Sequence, residues 1–330
     1  MKVAVLGTGS IGMRHLDILK QIEGAEPIAI PKRLKRAEDL KRSGFLVAPT
    51  LQAAKELGAA CCIIATDTSC HVEDGCAALE LGMDLLIEKP IAIDVLSAQS
   101  LLQAAQKKNR KLFVGCVLRF SDSLIMFREW LPKIGKVHSV HIECRSYLPD
   151  WRPDRSYKES YSARLNEGGV LRDLIHEIDY AGWIFGWPSF VTASLRNSGQ
   201  LNIETEEMAD LFWETENGTF VSVSLDYLTR IPFRAMSAHG EKGSIEWDGV
   251  QWKTTLYIPG APAEIFISSQ TRDELFLAQD RAFIQCHLGA MHSHIADAKD
   301  GIKALSICDT ARVASQNGAK TKINYQEERT

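Results

Sequence analysis

Three stretches of this chain carry residue types at spacings that could do chemistry. The first is Gly7-Thr8-Gly9-Ser10-Ile11-Gly12. A G-x-G-x-x-G run between a strand and a helix suits a bound dinucleotide. Gly7 permits the tight turn, Gly9 lets the backbone approach a pyrophosphate, and Gly12 lets helix and strand pack closely. The helix N-terminus at Ser10 and Ile11 then faces the anion. The second is Ile30-Pro31-Lys32-Arg33-Leu34-Lys35-Arg36. An acid about 20 positions past the glycines usually holds the ribose 2′-hydroxyl of NAD. No carboxylate stands there; Lys32, Arg33 and Arg36 suit a 2′-phosphate, so NADP is expected ahead of NAD. Basic side chains at a helix start oppose the macrodipole, a conflict that an anion relieves. The third is Glu88-Lys89-Pro90, at the C-terminal end of a strand. That edge is where ligands sit in open α/β sheets.

The elements that must position these residues follow from periodicity. Val3–Leu6, Ile28–Ile30, Phe45–Val47, Ala60–Ala65, Leu85–Ile87 and Leu112–Val114 read as strands. Helical patterns separate them, one of which runs Ile11, His15, Ile18, Leu19, Ile22. Strands alternating with helices at this pace predict a doubly wound parallel sheet, a Rossmann domain over 1–120. The pattern changes over 121–330. Val137–Tyr147 alternates, a helix is predicted over Gly169–Phe185, and seven strand candidates follow between Phe190 and Ser268. Turn residues join them, which predicts an antiparallel meander with helices on one face. The fold class is therefore α/β, a Rossmann domain followed by an α+β domain with an open, mostly antiparallel sheet. The other face of that sheet, carrying Val221, Val223, Leu225 and Tyr227, needs a cover.

Composition bounds the alternatives. At 330 residues, with 45% hydrophobic and 24% charged residues, the chain has the make-up of a two-domain globular protein. Residues 1–120 carry a net charge of +3 and the remainder −7, which argues against a nucleic-acid partner. No apolar run reaches the length of a membrane span. The start, MKVAVLGTGSIG, lacks a signal peptide's features, so a cytoplasmic protein is expected. None of the eight cysteines forms a C-x-x-C pair. His287, His292 and His294 lie near Cys286 and Asp297, but their spacing fits no common zinc motif, so no metal is expected. No G-x-S-x-G, H-E-x-x-H or P-loop pattern occurs.

Motifs along the chain, taken in order, resemble one family. The glycine run is followed by Thr66 and His71 ahead of Ala-Leu-Glu-Leu-Gly, and then by Glu88-Lys89-Pro90. Next come the stretch from Glu167-Gly168-Gly169 through Asp173 and His176 to Asp179, and His239-Gly240-Glu241-Lys242-Gly243. The pattern resembles the Gfo/Idh/MocA family of glucose–fructose oxidoreductase, inositol dehydrogenase and rhizopine-catabolism proteins. The resemblance implies a nicotinamide-dependent dehydrogenase acting on a sugar-like carbinol between the two domains. It assigns Thr66, His71, Glu88 and Lys89 to the cofactor side. Lys89 also meets the substrate hydroxyl, and His176 takes the hydroxyl proton. The chemistry agrees. Hydride leaves a C–H only as the O–H proton leaves, histidine titrates in the right range, and lysine steadies developing alkoxide charge.

One departure concerns the carboxylate beside the histidine. Many members carry aspartate four residues earlier, where this chain has Arg172. Asp173 could orient the imidazole from i−3, or Asp179 from i+3, or no carboxylate does so. Arg172 could instead hold a substrate anion, as could Arg119, Arg152 and Arg155. Tyr147, in the same loop as Arg152 and Arg155, suits stacking. The substrate is then a sugar, sugar acid or nucleotide sugar, and the sheet pairs in a homodimer or homotetramer. The resemblance also admits a redox-neutral enzyme recycling tightly bound NAD, and a dinucleotide sensor without catalysis.

Overall fold

The structure, a computed structural model, describes residues 1–325 apart from 154 and 166. It divides into two compact units: 1–120 with 271–301, and 121–270 with the chain from 302 onward.

The first unit begins with β1 (Lys2–Leu6), α1 (Ser10–Leu19), β2 (Glu26–Ile30), α2 (Ala37–Arg42), β3 (Leu46–Val47) and α3 (Leu51–Glu56). It continues with β4 (Ala59–Ile64), α4 (His71–Glu80), β5 (Asp84–Glu88), α5 (Val95–Lys107) and β6 (Leu112–Gly115). The parallel strands lie in the order β3-β2-β1-β4-β5-β6, as the alternation of strand and helix predicts. Val3–Val5, Cys61–Ile64 and Leu85–Ile87 are wholly inaccessible to solvent, because both faces of a parallel sheet are covered. The order reverses between β1 and β4, and this switch point is where such sheets bind ligands.

The second unit holds α6 (Asp122–Trp130), β7 (Val137–Arg145), α7 (Val170–Asp173), α8 (Ile175–Phe185), β8 (Phe190–Arg196) and β9 (Met208–Glu214). Next come β10 (Phe220–Asp226), β11 (Phe233–Gly240), β12 (Ser244–Asp248), β13 (Lys253–Tyr257) and β14 (Glu264–Ile267). The chain then forms α9 (Arg272–His287), β15 (Ala296–Asp297), α10 (Ala298–Asn317) and β16 (Thr321–Lys322). The sheet order is β14-β13-β12-β11-β7-β10-β9-β8-β16.

Several sequence expectations need correction. The two domains are not continuous blocks, because α9 and β15 belong to the first unit. Periodicity shows that 272–287 is helical, not which sheet it serves. The His15–Asp280 contact and the edge-on rings of Phe113 and Phe283 decide that. The second sheet is not a simple meander, since β7 lies between β10 and β11 and runs parallel to β10. The helix expected over Gly169–Phe185 is two, broken at Leu174. Helix α6 has no counterpart in the sequence reading; Trp247 Nε1 and Thr254 Oγ1 hold it to the sheet through Ser123.

The covered face of this sheet also differs from expectation. Val221, Val223, Leu225 and Tyr227 are buried, on the face that α7 and α8 cover. The exposed face carries the alternate residues, among them Phe190, Phe212, Phe220, Phe233 and Tyr257. A one-residue offset in reading a strand exchanges its faces.

Candidate active site

The glycine loop follows β1 and is built as its sequence suggests. Gly7 has φ +91°, and a Cβ there would lie 2.6 Å from the Ala65 carbonyl oxygen. A Cβ on Gly12 would sit 1.9 Å from the Gly7 carbonyl oxygen. A Cβ on Gly9, by contrast, would meet no protein atom within 4 Å. The protein's own packing requires the first and third glycines, while the second faces open space. No side chain caps the N-terminus of α1 and no acid lies in its first turn. Both features suit a close-lying pyrophosphate.

The basic stretch after β2 folds back toward this loop. The Lys32 ammonium donates to Asp74 Oδ1 at 2.6 Å, and Thr66 Oγ1 donates to Asp74 Oδ2 at 2.9 Å. Arg36 Nη1 donates to the Thr8 carbonyl oxygen. Arg33 is exposed. A carboxylate therefore does stand at the end of β2, delivered by α4 and absent from the local sequence.

His71 lies under the site. It is 1% exposed, and its two ring nitrogens lie 2.9 Å from the Pro90 carbonyl and 3.1 Å from that of Thr66. Burial pushes its imidazole pKa down. These two contacts tie the loop after β4 to the turn after β5. Glu88 is similarly engaged. Its Oε1 lies 3.0 Å from His15 Nε2, while His15 Nδ1 lies 2.8 and 2.9 Å from the two Asp280 oxygens. Burial alone would lower the His15 pKa, but Asp280 and then Glu88 raise it to about 10. Burial pushes the Asp280 carboxyl up and the imidazolium pulls it down. With both carboxylate oxygens on Nδ1, the group is an imidazolium between two carboxylates. The turn that carries Lys89 is thus clamped from beneath, with the Lys89–Pro90 peptide bond cis. The sequence signal for His15 was its place on an apolar helix stripe, which reads equally well as core.

In the second unit, Gly169 has φ +92°, and its hydrogen faces Glu206, which a Cβ would meet at 2.1 Å. The chain enters α7 there and breaks at Leu174. The Tyr227 hydroxyl donates to Asp173 Oδ2 at 2.6 Å. Arg172 Nη2 donates to Asp309 Oδ1 of α10 at 2.9 Å. Glu177, fully buried, meets Arg234 Nε of β11 at 2.7 Å and holds α8 to the sheet. From Gly168 to Gly182 every residue is buried except His176. His176 is thus the one part-exposed residue of an otherwise enclosed segment, with its Nδ1 buried.

The remaining sequence candidates scatter. Arg119 is 1% exposed and pairs with Asp300 at 2.8 Å inside the first unit. Arg230 stacks 3.7 Å over the Tyr147 ring, and Arg152 lies 5.7 Å from the Tyr161 ring centre. Arg155 is exposed and Asp179 buried. His287 pairs with Asp84, and His292 and His294 pack on Phe120. Burial pushes the Cys61 and Cys144 thiols up to about 12, so both are inert. Among the described residues no helix is long and apolar enough to cross a membrane.

Residues 1–116 match the oxidoreductase family with an NAD-binding Rossmann fold, and residues 132–246 match the GFO/IDH/MocA C-terminal domain. The chain belongs to the Gfo/Idh/MocA family of oxidoreductases. Among its relatives is UDP-N-acetylglucosamine 3-dehydrogenase of Acidithiobacillus ferrooxidans, 23% identical over 95% of this chain and 97% of that protein. Another is glucose-6-phosphate 3-dehydrogenase of Bacillus subtilis, 25% identical over 67% of this chain and 66% of that protein. The fold of this Gfo/Idh/MocA protein is shared with an Agrobacterium radiobacter oxidoreductase solved with NAD+, L-tartaric acid and magnesium. The two superpose with a TM-score of 0.87, at 19% identity over 99% of both chains.

Proposed function

We propose that this chain is an NAD(P)-dependent dehydrogenase or reductase acting on a carbinol of a sugar, sugar acid or nucleotide sugar. The observation that carries the reading is His176, the one partly exposed residue between Gly168 and Gly182, in the segment that matches the family's second domain. Relatives that act on a nucleotide sugar and a sugar phosphate support the substrate class.

A bound nicotinamide supplies the hydride acceptor or donor. The chain's own residues handle the proton and the charge. Lys89 donates to the reacting oxygen, where positive charge favours the developing alkoxide. His176 takes the hydroxyl proton in oxidation and returns it in reduction. Asp179 orients the imidazole, because α8 is unbroken between them and i+3 is a neighbouring position. Asp173 is the weaker candidate: it lies before the break at Leu174, and Tyr227 holds its Oδ2. Arg152 and Arg155 are the arginines we assign to an anionic group. Arg119 and Arg172 already face carboxylates.

NADP is favoured over NAD by Arg33 and Arg36 after β2. Arg36 meets the neutral Thr8 carbonyl rather than a carboxylate. The open face of the second sheet pairs two copies. Phe212 and Phe220 stack there at 6.2 Å, amid small residues such as Ser222, Ser224 and Ser237 that permit close approach.

The test is a substrate screen with both nicotinamides, followed by Lys89→Met and His176→Asn. Each is expected to lower kcat/KM by about 10²–10⁴-fold, and His176→Asn to leave the NADPH fluorescence titration unchanged. Turnover that survives both substitutions would refute the assignment.

A further inference from the structure

We infer that Asp74 is a specificity-determining residue of the dinucleotide site, disfavouring the 2′-phosphate by neutralising Lys32. The inference rests on the dinucleotide reading of the first unit. Asp74 is 6% exposed, on the first turn of α4, 42 residues from Lys32. Its two oxygens reach Lys32 at the end of β2 and Thr66 at the end of β4. The side chain thus joins the two strand ends on either side of β1, at the edge where the glycine loop lies.

The charges around it are already settled. Glu38 pairs with Lys41 and Asp39 with Arg42 along α2. Among the described residues Arg36 meets an uncharged carbonyl oxygen, that of Thr8. Arg33 and Lys35 are exposed. Lys32 alone of the four pairs with a carboxylate among the described residues. A 2′-phosphate drawn to this basic run therefore meets Lys32 as half of a neutral pair. To use that ammonium it must compete with a buried carboxylate that meets no other cation among the described residues. NAD lacks the phosphate and meets no such penalty. Local sequence gives NADP; the carboxylate brought in by α4 pulls the preference back toward NAD.

The substitution that tests this is Asp74→Asn. It keeps the side chain's shape and an oxygen for the Thr66 hydroxyl while removing the charge. NADH and NADPH affinities are read by fluorescence titration, without substrate. The ratio of NADPH to NADH affinity is expected to rise roughly tenfold or more, the scale of one released charge-assisted hydrogen bond. In a Lys32→Met background the same change is expected to leave the ratio alone. Lys32 is half exposed, so that background folds. An unchanged ratio with intact binding overturns the inference, as does a rise that persists without Lys32. Loss of binding of both nucleotides by the wild type would instead overturn the dinucleotide reading, and this inference with it.

Discussion

Replacing His15 with leucine should be among the most damaging single changes in the first unit. The imidazole is fully buried between Asp280 and Glu88. Leucine has a similar size but leaves both carboxylates without their cation. Breaking a buried pair from one side costs about 3–5 kcal/mol. The titration gives a similar scale. A shift from 6.5 to about 10 corresponds to about 5 kcal/mol of interaction with the charged form. The opposing push of burial on Asp280 reduces the net effect. At about 2–4 °C per kcal/mol, the melting point should fall by about 6–20 °C. The pH dependence has a definite sign. The folded pKa lies above the unfolded one, so the stabilisation is complete below about pH 6.5 and fades as pH rises through about 10. Urea unfolding at several pH values reads both effects. Wild type should lose stability from pH 7 to 10, and His15→Leu should lose this slope. Adding Asp280→Leu should recover much of the loss, since a well-packed apolar replacement of an ion pair is often neutral. A His15→Leu protein within about 1 kcal/mol of wild type at pH 7, or one keeping the alkaline slope, would refute the imidazolium argument.

Three further outcomes test other parts of the structure. Gly9→Ala should leave the melting point near wild type, because its methyl meets no protein atom, yet weaken NADPH in titration. Gly12→Ala should destabilise by several kcal/mol, because its Cβ would sit 1.9 Å from the Gly7 carbonyl oxygen. On the second sheet, the double change Phe212→Lys and Phe220→Lys should shift sedimentation velocity toward monomer with the fold intact by circular dichroism. An unchanged sedimentation coefficient would count against pairing through that face.

What local sequence determines is visible in this protein wherever the cause is local. A turn that only glycine can make, a strand buried on both faces and a turn residue at each hairpin all leave marks in the order of residue types. Gly7 to Gly12, Glu88-Lys89-Pro90 and most strand limits were legible for that reason. The motif around His176 singled that residue out, while its part exposure on an otherwise buried segment is visible only in the structure. Tertiary structure decided the rest. Asp280 reaches His15 across 265 residues, Tyr227 reaches Asp173 across 54, and Asp74 reaches Lys32 across 42. The insertion of β7 between β10 and β11, and the return of α9 to the first unit, are choices of the same kind. Periodicity fixes which face of a helix or strand is apolar. It does not say which distant face will cover it, nor which distant charge will meet a lysine there, because those are set by packing among elements the chain has yet to bring together.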